Sequence, residues 1–188
     1  MILSISTSSS LVSLALLSGD ELVASVQRHA PRAAANTALV LLEGMLAANR
    51  LHLNEIDGFV ADRGPGSFTG VRVGVTLVKT LGYAFGKRVG GVLSFSLISA
   101  DCPVAVPIKK GQWALREGST ITLVDVIPDV PDLRGYGQGF APEQLPLAHQ
   151  LREQYVEWVE PEWLVPFYGA EPAISTPKDP SRVLGGPL

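Results

Sequence analysis

The sequence has little charge, a single cysteine and no long apolar run. Charged residues make up 18% of its 188 residues, against roughly 25% in an ordinary soluble domain. The lone cysteine, Cys102, permits no internal disulfide. The apolar runs, such as 14–17 and 39–42, are far shorter than the roughly 18 residues that a membrane-spanning helix needs. We therefore expect a cytoplasmic protein that does not enter the membrane.

Residue clusters that hold metals or nucleic acids are also missing. The three histidines, His29, His52 and His149, are far apart in the sequence, whereas zinc ligands usually come in closely spaced pairs. Lysine and arginine number 15 against 18 acidic residues and form no cluster, which argues against independent binding to a nucleic-acid backbone. We expect no metal site and no intrinsic cofactor.

Apolar residues, at 46% of the sequence, are enough to bury a sizeable core. In the first hundred residues, β-favouring residues that alternate with serine predict an antiparallel meander, and two stretches with helical spacing follow. The predicted order is strand, strand, strand, helix, strand, helix and strand, at residues 1–7, 11–17, 21–28, 32–50, 56–61, 71–85 and 88–93. This order predicts an α/β fold with a mixed sheet.

The chain changes character after its first hundred residues. Three further strands and a helix are predicted, at residues 104–108, 112–116, 120–127 and 143–158. Ten of the 14 prolines follow residue 127, so regular structure must be short there. We divide the chain into a first unit, a reduced second unit and a flexible tail, at residues 1–100, 101–175 and 176–188.

A glycine-rich loop lies between the strand at 56–61 and the helix that follows it. Its residues, called the glycine loop below, are Gly64, Pro65, Gly66, Ser67, Phe68, Thr69 and Gly70. The simplest interpretation is a tight turn in which Ser67 caps the helix through its hydroxyl, and the alternative is a cradle of free amides for an anion. A phosphate-binding P-loop is excluded because Val71 stands where lysine is required. A nucleophile elbow is excluded because the residues two positions from Ser67 are not glycine.

The run at 63–74, RGPGSFTGVRVG, resembles the sequence signature of the TsaB (YeaZ) family. The opening residues at 2–8, ILSISTS, are similar to that family's first strand, and weaker matches lie at 107–113 and 165–168. The resemblance implies an actin-like ATPase fold, in which a ribonuclease-H-like lobe with a mixed sheet is followed by a reduced second lobe.

The resemblance also implies a function without catalytic residues. It implies a subunit that binds the TsaD-type catalytic subunit in the formation of threonylcarbamoyladenosine on tRNA. It further implies that a TsaE-type ATPase joins through the complex, that the other subunits use ATP and metal, and that tRNA is contacted only indirectly. Enzymes of the actin-like fold carry one carboxylate on the first strand, where this chain has Ser6, and another where it has Pro107. Hard cations need such oxygen ligands.

Two other classes of function stay open from the residues. One is an enzyme that acts alone, either an actin-fold ATPase or a peptidase-like hydrolase, and the missing carboxylate argues against it. Asp57 and Asp62 bracket a strand and would be its acid–base pair, although turn capping is the favoured interpretation of both. The other class is a structural protein that associates with itself.

The two predicted helices are candidates for a partner interface. The first is apolar on more than one face. The second carries glycines at four-residue intervals, which either pack it closely on its own sheet or leave a seam for another helix. We predict that the helices form a homodimer in isolation and that the catalytic subunit replaces the second copy. The candidate interface residues are Leu39, Leu42, Met45, Leu46, Gly70, Val71, Gly74, Val78 and Gly82.

Overall fold

Alternating apolar residues build two β-sheets, which a computed structural model describes over residues 1–19 and 21–169. The strands of the larger sheet are β1 (Ile2–Ser6), β2 (Leu11–Ser18), β3 (Glu21–His29), β4 (Gly58–Asp62), β5 (Arg88–Val92) and β10 (Glu157–Val159). Those of the smaller sheet are β6 (Val104–Lys109), β7 (Gln112–Glu117), β8 (Thr120–Val124) and β9 (Arg134–Gly135). The helices are α1 (Ala34–Asn49) and α2 (Phe68–Phe85). The tail predicted at 176–188 lies outside the described residues.

The larger sheet has the strand order β10-β5-β4-β1-β2-β3. β2 pairs antiparallel with β1 and β3, while β4 pairs parallel with β1 and β5. Parallel neighbours need a crossover connection, and α2 makes the one from β4 to β5. The predicted α/β class with a mixed sheet is confirmed, and the order from β5 to β3 is that of the ribonuclease-H-like fold.

The smaller sheet repeats part of this order. Its strands lie in the order β8-β7-β6-β9, with β7 antiparallel to β6 and β8, and β9 parallel to β6. These are the order and the directions of β3-β2-β1-β4. Between residues 101 and 169 the described chain contains no α-helix. The smaller sheet therefore repeats the arrangement of β1 to β4 of the larger sheet, without the helices that pack on that sheet.

The main core lies between the larger sheet and the two helices. Side chains of β1, β2 and β4 meet the inner faces of α1 and α2, and Phe59 and Ile5 at its centre are fully buried. A second cluster covers the other face of the sheet, under Leu97 and Leu151. The sheet is thus buried on both faces, which explains why β1 and β4 are apolar or uncharged at nearly every position.

The α2 helix starts earlier than predicted, at Phe68, because the Ser67 cap lies inside the glycine loop. It ends as predicted, with Gly86 in the left-handed conformation at φ 60°, which glycine adopts without strain. Within residues 1–19 and 21–169, neither helix has the length and hydropathy that a membrane span requires.

The helix predicted over 143–158 is wrong. The segment forms two short 3-10 turns and then a strand, at Ala148–Gln150, Glu153–Tyr155 and Glu157–Val159. The N–H of Leu147 donates to the carbonyl of Leu97 at 3.0 Å rather than within a helix. The strand pairs with β5, where Gly90 leaves room for the Trp158 ring. The chain thereby returns to the larger sheet.

Candidate functional site

The glycine loop is a capped connection between β4 and α2. The Ser67 hydroxyl accepts the N–H of Gly70 at 3.3 Å, and its carbonyl accepts the N–H of Val71 at 2.9 Å. A serine in this position satisfies a helix N–H that has no partner within the helix. The predicted cap at Ser67 is confirmed.

Gly64 and Gly66, at the start of the loop, have no room for a side chain. A Cβ on Gly64, whose φ is 97°, would overlap the carbonyl oxygen of Phe167. A Cβ on Gly66 would overlap the carbonyl oxygen of Ser8, which accepts the N–H of Ser67 at 2.7 Å. The loop is therefore held between the β1–β2 turn on one side and residue 167 on the other.

Asp62 lies beneath the loop at the end of β4 and is fully buried. Its Oδ2 accepts the hydroxyls of Ser6 at 2.7 Å and Ser8 at 2.5 Å. Its Oδ1 accepts the hydroxyl of Ser94 at 2.6 Å and the N–H of Gly64 at 2.9 Å. Burial raises the pKa of Asp62, and these four donors oppose that rise. The turn capping predicted for this residue is confirmed by the bond from Gly64.

The position of Asp62 adds a carboxylate beside Ser6 that the sequence analysis did not place there. The first strand lacks a carboxylate, as the sequence shows, but the carboxylate of the neighbouring strand occupies the space beside the Ser6 hydroxyl. Asp57, at the other end of the strand, is exposed and pairs with the amino group of Met1, which lowers the pKa of its carboxyl. The two aspartates are therefore far apart and do not form an acid–base pair. An aspartate between a buried strand and a glycine loop was the sequence signal for this cluster.

A basic cleft of about 490 Å³ lies between the β1–β2 turn and the β6–β7 turn. Arg32, Lys109 and Lys110 line it together with Pro107. The phenol of Tyr136 also lines this cleft, and burial raises its pKa. Pro107 brings no charge to the cleft.

An apolar groove of about 570 Å³ runs along the outer side of α1 and α2. Its lining residues are Ala35, Leu39, Phe68, Thr69, Arg72, Val73, Thr76, Leu77 and Thr80. The Phe68 ring stacks on Tyr168 with 4.9 Å between centroids, and the Arg72 guanidinium lies 5.4 Å from the same ring. Leu39 and Phe68 are 53% and 56% exposed. An apolar surface of this kind, with polar residues at its rim, is typical of a protein–protein interface.

Comparison with known sequences connects this fold to tRNA modification proteins. Residues 25–104 match the model of the family "TsaD: tRNA N6-adenosine threonylcarbamoyltransferase". The "tRNA threonylcarbamoyladenosine biosynthesis protein TsaB" of Bacillus subtilis is 31% identical over 100 residues, 53% of this chain and 44% of that protein. The protein of the same name from Haemophilus influenzae is 39% identical over 111 residues, 59% of this chain and 45% of that protein. The matches thus span less than half the length of these relatives.

Comparison with solved structures covers nearly the whole fold. YeaZ from Pseudomonas aeruginosa has a TM-score of 0.69 at 25% identity, over 89% of this chain and 98% of that chain. In sequence and in fold, the chain is thus similar to proteins of the TsaB (YeaZ) family. A second structure, described as an uncharacterized protein with similarity to peptidase YEAZ from Pseudomonas aeruginosa, shows the same fold with a TM-score of 0.72 at 24% identity, over 90% and 99% of the two chains.

Most of the predicted interface residues face inward, and the prediction is wrong for them. The exception is Leu39, which lines the outer groove. The buried aliphatic residues belong to the main core and are Leu42, Met45, Leu46, Val71 and Val78. They are buried because the apolar stripe of each helix packs on the larger sheet.

The glycines of α2 serve the same inner packing. A Cβ on Gly70 would overlap the Thr7 carbonyl, and one on Gly74 would lie 2.6 Å from the Thr7 Oγ1. A Cβ on Gly82 would overlap the Val89 side chain of β5. The predicted seam for another helix is therefore wrong at these positions, and close packing on the chain's own sheet, the other interpretation, is correct.

Trp158 and Cys102 lie apart from the loop and the groove. Trp158 packs over Gly58 and Gly90 with the Arg88 guanidinium 3.8 Å from its ring. Cys102 is partly buried, and its carbonyl accepts a bond from an arginine side chain. Among the described residues, no three His, Cys, Asp or Glu side chains form a group that could hold a metal ion.

Proposed function

We propose that this chain is a non-catalytic subunit in the biosynthesis of N6-threonylcarbamoyladenosine on tRNA, and that it binds a TsaD-type catalytic subunit. The observation that carries the proposal is the exposed apolar groove along α1 and α2. The two helices bury one face on their own sheet and leave a second apolar face uncovered. An exposed apolar face of this kind is typical of a protein-binding surface. The names of the TsaB relatives support the pathway.

The match to the TsaD family model supports the identity of the partner. The matched residues, 25–104, contain both groove helices. A catalytic subunit with a lobe of this kind would present two corresponding helices to the groove. Since a two-fold dimer pairs the same surface patch from each copy, the groove suits a second copy of this chain and a TsaD-type lobe alike. We propose a homodimer in isolation that the catalytic subunit replaces.

The polar centre of the fold supports a non-catalytic role. The four lone-pair positions of the Asp62 carboxylate are filled by donors, and the side chain is fully buried. A carboxylate in this state has no oxygen left for a metal-bound nucleotide. We propose that ATP and metal are used by the other subunits, including a TsaE-type ATPase, and that tRNA is contacted through the complex in the cytoplasm.

Two adjacent leucine and valine side chains allow a matched test of the groove. Leu39 lines the groove, whereas its neighbour Val40 is similarly exposed, at 46%, and does not line it. Leu39→Glu places a charge in the proposed interface and should weaken binding of the TsaD-type subunit from the same organism by at least about tenfold, as for a central interface residue. Val40→Glu should bind as the original chain does.

Isothermal titration calorimetry and sedimentation velocity measure the two associations directly. Both variants should keep the melting temperature of the parent, which shows that the fold is intact. The proposal would be overturned if both variants lost affinity for the TsaD-type subunit equally, or if the parent chain did not bind that subunit. A steady-state ATPase activity of the isolated chain would favour the stand-alone enzyme instead.

A further inference from the structure

The carboxylate of Asp62 ties together three segments that are distant in sequence. An ionised carboxylate has about four lone-pair positions and no hydrogen to donate. The hydroxyls of Ser6 and Ser8 fill the positions on Oδ2. The hydroxyl of Ser94 and the N–H of Gly64 fill those on Oδ1. One side chain thereby joins the end of β1, the start of the glycine loop and the segment that follows β5.

No cation balances this buried carboxylate in the described part of the chain. The groups that act on Asp62 are its four hydrogen-bond donors, and the titratable group that faces it from the smaller sheet is the phenol of Tyr136. Arg63 is the next residue, but its guanidinium pairs with Glu157 at 2.5 Å. A buried charge without an opposite charge is costly, and uptake of a proton removes that cost.

The cluster can take up one proton and keep its hydrogen bonds. A protonated carboxyl donates from one oxygen, so one of the surrounding hydroxyls must turn and accept. Ser8 is able to do so, because its Oγ lies 3.2 Å from the Oγ of Ser94 and its hydrogen can point there. The charged and neutral clusters then differ in the direction of two hydrogen bonds and in the strength of the remaining ones.

We propose that Asp62 is a positioning residue whose protonation state controls the glycine loop. The charged oxygen binds the N–H of Gly64 tightly, and the neutral carboxyl binds it more weakly, since hydrogen bonds to charged acceptors are stronger and shorter. The loop leads through the Ser67 cap into Phe68 at the end of the outer groove. The same proton therefore acts on the surface proposed for the catalytic subunit, and this last link rests on the proposed function.

The amide of Gly64 reports directly on the carboxylate in the isolated chain. Its ¹H and ¹⁵N chemical shifts, followed by NMR over about pH 4 to 9, should titrate with one midpoint above the ordinary aspartate value of about 3.9. Amides of Ser67 and Ser94 should move with the same midpoint. Ser94→Ala removes one donor to the charged form and should raise the midpoint further.

Two aspartate variants separate this role from a merely structural one. Asp62→Asn keeps the shape of the side chain and fixes the neutral state, so the Gly64 signal should lie near its acid position at every pH. Asp57→Asn changes the exposed aspartate at the other end of β4 and should leave the titration as in the parent. A Gly64 signal that is constant over the whole range, or a titration that persists in Asp62→Asn, overturns the proposal.

Calorimetric titration with the TsaD-type subunit over the same pH range tests the link to binding. The dissociation constant of the parent should change with the Gly64 midpoint, and that of Asp62→Asn should stay constant. A loop that titrates while binding is unaffected by pH overturns the link to the groove alone. Absence of any binding overturns the proposed function, and the loop titration is decided independently by the NMR result.

Discussion

The two faces of α2 differ in the size of their side chains and in what they contact. The inner face carries glycines, such as Gly74 and Gly82, where any side chain would overlap Thr7 or Val89. The outer face carries Phe68, Thr76 and similar residues that line an open groove. A helix packs most closely where its side chains are smallest, so glycine marks the contact that is already made. The surface still available to a partner is the outer face of α2, whose side chains are not covered by another part of the described chain.

The largest expected effect is on the inner face. Gly74→Leu places its Cβ 2.6 Å from the Thr7 Oγ1 and the rest of the side chain into the contact between α2 and β1. We expect the free energy of unfolding to fall by about 2–4 kcal/mol, since overpacking forces the backbone to shift. Urea unfolding of the purified variant measures the loss.

Gly44 provides the matched control for this substitution. It also lies in a helix, but a Cβ there would meet nothing within 4 Å. Gly44→Leu should keep or slightly raise the stability, because glycine costs about 1 kcal/mol in a helix interior. A Gly74→Leu protein that is as stable as Gly44→Leu would show that the inner face is not closely packed, and the contrast between the two faces would be lost.

The next effect is on the loop that begins α2. Gly66→Ala brings a single methyl group against the Ser8 carbonyl oxygen, and we expect a loss of about 1–3 kcal/mol, as for other strained backbone positions. Gly118→Ala is the comparison, since Gly118 has φ 58° and open space around it. Its loss should reflect backbone strain alone, about 1–2 kcal/mol. Thermal melts in which Gly118→Ala is the less stable variant would contradict the close contact at Gly66.

Sequence patterns predicted five of the six strands of the larger sheet and both helices, because each of these elements is determined locally. Alternation predicted the strands, and the glycine that follows α2 predicted where that helix ends. The segment at 143–158 could not be predicted in this way. Its apolar residues suit a helix, but they pack instead on the glycines of β5, a surface formed by residues more than fifty positions earlier.

The sequence analysis did not predict that the candidate interface residues face inward, nor that Asp62 lies at the centre of a serine cluster. Both were missed for the same physical reason. The glycines of α2 indicate that another element packs closely on the helix. The sequence alone does not show whether that element is the chain's own sheet or a partner. A serine at residue 6 shows that one strand lacks a carboxylate, and only the pairing of β1 with β4 brings Asp62 beside it. Contacts between distant segments decide both cases.

A smaller effect is expected from Asp62, which should make the free energy of unfolding depend on pH. Burial raises its pKa above that of the unfolded chain, so the folded state binds a proton more tightly. The contribution of Asp62 to stability is then fully present below the unfolded pKa and is lost as the pH rises through the folded pKa. The free energy of unfolding of the parent, relative to Asp62→Asn, should therefore decrease with rising pH in urea titrations. A difference that increases with pH would show that the four donors outweigh the burial.

The smallest effect on stability, and the sharpest on association, is expected on the outer face. Thr76 lines the groove and is exposed, so Thr76→Arg should change the free energy of unfolding by less than about 0.5 kcal/mol. Thr122→Arg makes the same exchange at an exposed position of β8, away from the groove. In a homodimer each substitution occurs twice, so Thr76→Arg brings two long cations into one interface and should shift sedimentation velocity toward the monomer. Thr122→Arg should sediment as the parent does. If both variants stay dimeric, or both become monomeric, the open face of α2 is not where the chain associates, and the two faces differ only in packing.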